Sequence, residues 1–345
     1  MSEKKIISFR FQLRRLLKAI DSLLNSPIGG RARLLVITLL LLMLSINALN
    51  VANSYVGRNF MSAIEKRDTA GFFYFAWIYV AVFAGSTLTG VFFRFTEERL
   101  GLLWREWLTR RVTRIYIEHG LYLHLRREDG LSNPDQRITE DINQLTTTTL
   151  SFVLMILNGT ITVFSFSGVL WTISPKLFLI AVAYALSGTA LTIWLGRPLI
   201  RLNYRQSDCE ANFRAALIHT RDKAEKIAAA GEESDVRRRL NALIDSVVSN
   251  LRHIIAVNRN LNFFTTGYNY LIQLIPVLIV APLFIDDQVE FGVIGQSAMA
   301  FSTLLGAFSL VITQFQTISS YVAVVTRLNE LGEQAERFEK ERQQA

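Results

Sequence analysis

The sequence predicts an all-α membrane protein with six transmembrane helices and long helical extensions on one side of the membrane. Two observations indicate this fold class. Six uncharged stretches are each long enough to cross a bilayer, and the segments between them differ sharply in lysine and arginine content. About 20 apolar residues suffice for one crossing, and a helix satisfies its own backbone hydrogen bonds in hydrocarbon. The predicted spans are Leu34–Gly57, Gly71–Phe93, Thr146–Ser174, Leu177–Gly196, Phe263–Ile285 and Phe291–Tyr321.

The distribution of basic residues predicts the orientation of the spans. All but four of the 37 lysines and arginines lie before the first span, in the second and fourth connections, or after the last span. The four exceptions are Arg58, Lys66, Arg67 and Lys176. Because cytoplasmic loops carry the excess of Lys and Arg, we expect both termini in the cytoplasm. The net charge of +8 then follows from topology, and no nucleic-acid partner is expected.

Residues 1–33 are predicted to form an amphipathic elbow helix on the cytoplasmic membrane surface. Apolar residues recur at helical spacing from Phe9 to Leu24, while Arg10, Arg14 and Lys18 take the opposite face. Such a helix lies in the headgroup layer with its basic side toward anionic lipid, so membrane lipid is an expected partner.

Two long connections, about residues 94–145 and 197–262, are predicted to be helical rods that project into the cytoplasm. At about 1.5 Å per residue, a helix going out and another returning would reach roughly 35–50 Å from the membrane. At the tip of the first rod, Asn133 is a good N-cap, Pro134 fits the first helical position, and Gln136 fits a capping box. In the second rod, Gly231 interrupts the helical pattern and predicts a reversal.

These tips carry a resemblance to a known family. The run Asn133, Pro134, Asp135 and Gln136 resembles the NPDQ signature of the membrane domains of SbmA/BacA-like bacterial ABC transporters and peroxisomal fatty-acyl (subfamily D) half-transporters. A second segment resembles the EAA-like segment of the same group, with matching residues Glu210, Phe213, Arg214 and Glu225. The resemblance implies an exporter-like (type 1) fold at residues 34–321, a homodimer, and coupling to ATPase domains through Asn133 to Gln136 and through Gly231 with Glu232.

The sequence itself contains no nucleotide-binding domain. There is no GxxxxGK[ST] loop to hold nucleotide phosphates, and residues 322–345 are predicted to form a cytoplasmic helix or linker. ATP and Mg²⁺ are therefore expected on an ATPase domain or subunit outside this chain. The chain is not expected to be an enzyme by itself, because no nucleophile–base pair or metal-ligand spacing is present. Its single cysteine, Cys209, excludes an intramolecular disulfide and a cysteine-based metal cluster.

Polar side chains in the spans fall on narrow helical faces. Such faces turn away from lipid, and they either pack against neighbouring helices or line a water-filled path. A neutral polar path would suit a bulky solute. The candidate path residues are Asn47, Asn50, Asn262, Asn269, Gln273, Ser309, Thr313 and Gln316.

The predicted function is the permease part of an ABC transporter in a bacterial inner membrane. Peptides, cobalamin-like molecules and fatty-acyl compounds are the cargoes that the resemblance implies. Two alternatives remain open. One is an ATPase-free, proton-driven peptide transporter of the same family, although the predicted spans contain no Asp or Glu. The other is a membrane-anchored signalling scaffold, which explains the rods but not the polar faces.

Overall fold

The computed structural model describes residues 26–118, 122–123, 134–313, 321, 324–334 and 337–338 of the 345-residue chain. Every regular element within these ranges is helical and none is a strand, which confirms the predicted all-α class. Most of the predicted elbow helix falls on residues 1–25, outside the described ranges.

The helices are long because the predicted spans continue into the neighbouring polar segments. In chain order they are α1 (Gly29–Glu65), α2 (Thr69–Glu118), α3 (Pro134–Gln136), a π-helical turn (Arg137–Asp141), α4 (Ile142–Ile173), α5 (Pro175–Asp222), α6 (Ala224–Ala230), α7 (Glu233–Ile285) and α8 (Gly292–Thr313), and residues 324–334 are also helical. Within the described residues, five helical segments are long and apolar enough to cross a membrane; they are α1, α2, α4 with the preceding turns, α5 and α7. Of the sixth predicted span, Phe291–Tyr321, the structure describes α8 as a helix over Gly292–Thr313.

Local chemistry sets the reversals between helices. Between α1 and α2, the Asp68 carboxylate accepts a hydrogen bond from the Gly71 N–H at 3.0 Å, which satisfies a free donor of the first turn of α2. Ser174 is extended, and Pro175 then begins α5, where a missing N–H is tolerated. Gly231 ends α6 in the left-handed conformation, at φ 67°, which glycine adopts without a Cβ penalty.

Residues 1–175 and 280–345 form one compact unit. In its described part, α1, α2, α4 and α8 pack together. Near the start of α1, Leu39 and Met43 meet Leu100, Trp104 and Leu150 in an apolar core. Burial of such side chains stabilises a helix bundle mainly through close packing when the surroundings are lipid.

Residues 176–279 form a second unit, which contains α6 and most of α5 and α7. Tyr184 on α5 and Tyr268 on α7 stack with ring centroids 4.1 Å apart. Each hydroxyl donates to the backbone carbonyl of the other tyrosine, at 2.7 and 2.8 Å. Farther along, the Asn250 amide donates to the carbonyl of Leu202 and to the side-chain oxygen of Gln206, both at 2.9 Å. These contacts hold the two long helices together.

Large apolar side chains face outward along the predicted spans. Trp77 is 74% exposed, Phe164 76% and Trp194 70%. Extended apolar surfaces of this kind are rare on soluble monomers and are typical of helices that face lipid. The outward faces therefore agree with an integral membrane protein.

Candidate functional site

The first predicted coupling region begins at α3. Pro134 occupies the first helical position, and Asp135 lies in the first turn, where the helix dipole favours an acid. Asp135 and Gln136 are exposed, and the Gln136 amide donates to Glu140 at 3.3 Å. Asn133, the predicted N-cap, lies outside the described residues. The described part of this region thus presents polar groups that a partner could contact.

A buried charge network follows in the π-helical turn. The Asp141 carboxylate is 1% exposed and accepts two hydrogen bonds from the guanidinium of Arg327, at 2.7 Å from Nε and 2.6 Å from Nη2. Arg137, which is 5% exposed, donates to Glu330 at 3.0 Å and to the backbone carbonyl of Arg327. The bond to the Asp141 carboxylate raises the pKa of Arg327. Bidentate arginine–carboxylate pairs of this geometry are among the strongest side-chain hydrogen bonds.

An apolar cluster lies beside the charge network. Leu331 is 5% exposed and packs against side chains from the end of α2, from the π-helical turn and from its own segment; these are Val112, Ile115, Tyr116, Ile138 and Phe338. The network and the cluster together fasten residues 324–334 to the first coupling region. Sequence reasoning missed this connection, because Asp141 and Arg327 are 186 positions apart and nothing in either local pattern indicates the other.

The second predicted coupling region belongs to the other compact unit. Gly231 and Glu232 lie between α6 and α7, and both are exposed. The Glu232 N–H donates to the carbonyl of Ile227 at 3.2 Å, which closes the C-terminal turn of α6. Glu225 lies in the first turn of α6 and is also exposed.

The other residues of the EAA-like segment lie on α5. Glu210 accepts a hydrogen bond from the Gln206 amide at 2.9 Å, and Gln206 is in turn bonded to Asn250 on α7. Phe213 is half-buried, and Arg214 is exposed. Glu210 therefore extends the polar contact that joins the two long helices of this unit.

Asn47, a candidate path residue, lies buried between α1 and α4 at 3% exposure. Its amide nitrogen donates to Asn158 at 2.9 Å, and its oxygen accepts from the Thr162 hydroxyl at 2.9 Å. Hydrogen bonds between polar side chains are a common means of joining membrane helices. Asn158 and Thr162 were not predicted, although their spacing of four places both on one face of α4.

The remaining candidate path residues have varied surroundings. Asn50 is half-buried on α1, whereas Ser309 on α8 is exposed and its hydroxyl donates to the carbonyl of Leu305 at 3.0 Å. On α7, three candidates are exposed, namely Asn262, Asn269 and Gln273. The Thr313 side chain and all of Gln316 lie outside the described part of the chain.

Long apolar helices with polar extensions define an integral membrane protein of the helical class. Residues 21–285 match the family described as ABC transporter transmembrane region 2, and the chain belongs to this family. The match confirms the predicted membership in the ABC transporter membrane domains.

Curated relatives agree with this assignment. ABC transporter D family member 2, chloroplastic, of Arabidopsis thaliana is 39% identical over 303 residues, which cover 88% of this chain and 43% of the relative. An uncharacterized ABC transporter ATP-binding protein of Synechocystis is also 39% identical over 303 residues, covering 87% of this chain and 46% of the relative. The human lysosomal cobalamin transporter ABCD4 is 23% identical over 338 residues, covering 93% and 54%. The chain spans about half the length of the curated relatives it matches.

Proposed function

We propose that this chain is the membrane-spanning part of an ABC transporter of the SbmA/BacA-like and D-family group. It crosses a bacterial inner membrane six times with cytoplasmic termini, works as a homodimer, and exposes a central cavity alternately to the two sides. ATP hydrolysis belongs to ATPase domains that act on its two coupling regions. Family membership and a curated relative named as an ATP-binding protein support this proposal.

One observation carries the coupling part of the proposal. The exposed Asp135 and Gln136 directly precede the turn whose Arg137 and Asp141 are bonded to residues 324–334. That helix follows the last predicted span. A displacement of the exposed tip is therefore transmitted to the helix that follows the sixth span, because buried hydrogen bonds and packed side chains resist being separated.

A flux assay in proteoliposomes tests this mechanism. The chain is reconstituted with its ATPase domain, encoded in frame or by a neighbouring gene, and uptake of labelled cargo is followed with and without ATP. We expect ATP-dependent flux that Asp135→Lys abolishes at unchanged protein levels, because the substitution reverses the charge of the exposed tip. Glu140→Gln, on the same exposed surface, serves as the matched control. Flux that does not depend on ATP or on Asp135 would overturn the mechanism.

The cargo is proposed to be a bulky solute. Peptides and cobalamin-like molecules are implied by the bacterial group, fatty-acyl compounds by the peroxisomal group, and one relative is named as a cobalamin transporter. A panel of these three cargoes in the same assay distinguishes them. Asn269→Leu and Gln316→Leu are expected to alter the flux without preventing membrane insertion, and unchanged flux would argue against a lining role.

Proton-driven transport is a second candidate function, and the surroundings of Glu97 favour it. It lies just beyond the predicted second span, is half-buried, and its pKa is raised mainly by burial, with Arg94 opposing the shift. A carboxyl group with a raised pKa exchanges protons closer to neutral pH. Uptake driven by a pH gradient alone, and lost in Glu97→Gln, would support this candidate. A signalling scaffold would move no cargo under either condition.

A further inference from the structure

A polar cavity of about 720 Å³ lies in the first compact unit, around the C-terminal turns of α1. A smaller chamber of about 430 Å³ shares two of its wall residues, Arg58 and Gln296. Small-molecule sites in proteins span roughly 300–1,000 Å³. The two spaces therefore have the size of a ligand site, and none of the path residues that the structure describes contributes to their walls.

Two buried polar groups in these walls have no partner among the described residues. Gln296 is 3% exposed, and neither its amide nitrogen nor its oxygen makes a hydrogen bond. Ser54, in the wall of the smaller chamber, is 1% exposed, and its hydroxyl is likewise unbonded. Buried polar side chains are nearly always hydrogen-bonded, so each group indicates a ligand atom or water that completes it.

Arg58 lines both spaces and makes no ion pair with a described residue. It is half-buried, its Nε donates to the neighbouring Asn59 at 3.1 Å, and its guanidinium lies 5.1 Å from the centre of the Tyr55 ring. The two terminal nitrogens of the guanidinium remain available. A half-buried cation of this kind favours an anionic partner, because it has lost part of its hydration.

The acidic residues of the larger cavity do not fill that role. Glu290 accepts a hydrogen bond from Lys66 at 2.7 Å, and this bond is the main cause of its lowered pKa, to which Arg58 contributes last. Asp68 is engaged at the start of α2, where it accepts the Gly71 N–H. Both carboxylates thus accept hydrogen bonds from other groups, and neither forms an ion pair with Arg58 among the described contacts. The terminal nitrogens of the Arg58 guanidinium can therefore bind a ligand with a single negative charge.

The smaller chamber is mostly apolar and matches the rest of such a ligand. Its wall includes the large side chains Phe60, Met61, Tyr79 and Met299. Its volume lies near the lower end of the range for small-molecule sites, so it suits one apolar tail better than two.

We propose that Arg58 and Gln296 bind the carboxylate of a single-tailed amphiphile whose tail occupies the smaller chamber. The guanidinium offers two parallel N–H donors to the carboxylate oxygens, and the Gln296 amide adds a third donor. This ligand is a free fatty-acid-like solute, and a two-tailed bilayer lipid with a phosphodiester head is the competing occupant. This site is separate from the proposed cargo path, because none of the described path residues lines it, and binding there needs neither transport nor an ATPase.

Calorimetric titration with laurate tests the site in the purified full chain, held in nanodiscs of phosphatidylcholine. We expect saturable binding of laurate and much weaker binding of the uncharged dodecanol. Arg58→Gln should weaken laurate binding about 10- to 100-fold, because a charge-assisted pair is lost. Arg252→Gln, an exposed arginine on α7, should leave the affinity unchanged.

A second variant keeps the test informative if Arg58→Gln does not fold. Gly295 lies in the chamber wall, and a Cβ there would meet no atom within 4 Å, so Gly295→Leu can begin a side chain at this position without displacing the backbone. It should weaken laurate binding while leaving the thermal midpoint unchanged, and Gln296→Leu should weaken it about tenfold or less.

The competing outcomes are distinct. Equal affinity in the wild type and Arg58→Gln, absent binding to the wild type, or dodecanol binding as tightly as laurate would overturn the proposal. Displacement of laurate by phosphatidylglycerol in the nanodisc would overturn the single-tailed assignment and identify a bilayer lipid as the occupant. Retention of laurate would identify a free solute. These readouts measure binding alone, so they remain valid if the chain proves not to be driven by ATP.

Discussion

The buried pair Asp141–Arg327 gives the sharpest test of how the first coupling region is held. Asp141→Asn keeps the size of the side chain but removes the charge that accepts both guanidinium bonds. The predicted consequence is local. Residues 324–334 should separate from the π-helical turn more often, while the apolar spans remain folded.

The magnitude follows from burial. Removing one partner of a fully buried ion pair costs about 3–5 kcal/mol, and a single hydrogen bond to a charged group contributes about 1.5–3 kcal/mol. The Asp141 side chain is 2% exposed, but that of Arg327 is 40% exposed, so water can solvate the freed guanidinium. We therefore expect a loss of about 2–3 kcal/mol, which raises the undocked population about 30- to 140-fold.

Hydrogen exchange of the backbone amides measures this population directly. In Asp141→Asn, the amides of residues 324–334 should exchange faster by that factor, while amides in the apolar part of α4 should not change. Glu140→Gln is the matched control, since Glu140 is exposed and bonded only to the exposed Gln136 among the described side chains. Equal exchange in the two variants would refute the claim that the charge network fastens this helix.

Three further predictions concern the contacts that hold the helices. Gly188→Ala would place a Cβ against the Tyr268 ring, so it should force α5 and α7 apart. We expect it to destabilise the protein by about 1–3 kcal/mol, measured as a lower thermal midpoint in detergent. Asn47→Leu leaves Asn158 and Thr162 on α4 without their hydrogen-bond partner, so it should destabilise the first unit by about 1–3 kcal/mol, measured by denaturant unfolding. The hydrogen bond from Lys66 lowers the pKa of Glu290 from 4.5, so this pair stabilises the fold above pH 4.5 and the stabilisation is lost as the pH falls below it. In Glu290→Gln, the decrease of the thermal midpoint on acidification should therefore be smaller.

Matched controls accompany these three predictions. Gly196→Ala introduces a Cβ with no atom within 4 Å and should be neutral or stabilising, since alanine favours helix. Asn50→Leu replaces a half-buried amide on the same helix as Asn47 and should cost less. The exposed pair of Lys66 and Glu290 should weaken in high salt. If each control changes stability as much as its test variant, the named contacts do not explain the effect.

The sequence alone determined where the chain could enter the membrane and which segments could not. Leu34–Gly57 has no charged residue, and only a helix satisfies its backbone in hydrocarbon, so its assignment needed no tertiary information. The same holds for the start of α3 at Pro134 and the left-handed turn at Gly231, since both depend on the conformations that those two residue types allow.

Only the tertiary structure decided what each polar face touches. The periodicity placed Asn47 on a buried face, but its partners lie 111 and 115 positions away in sequence. The sequence of α1 therefore could not predict the hydrogen bonds to α4. The network of Asp141 with Arg327 is a further case, as is the amide of Gln296, which has no partner among the described residues. Local sequence fixes a helix and the direction of its faces, because both depend on neighbouring residues. The partner of a face depends on how distant segments pack, which is a property of the whole chain.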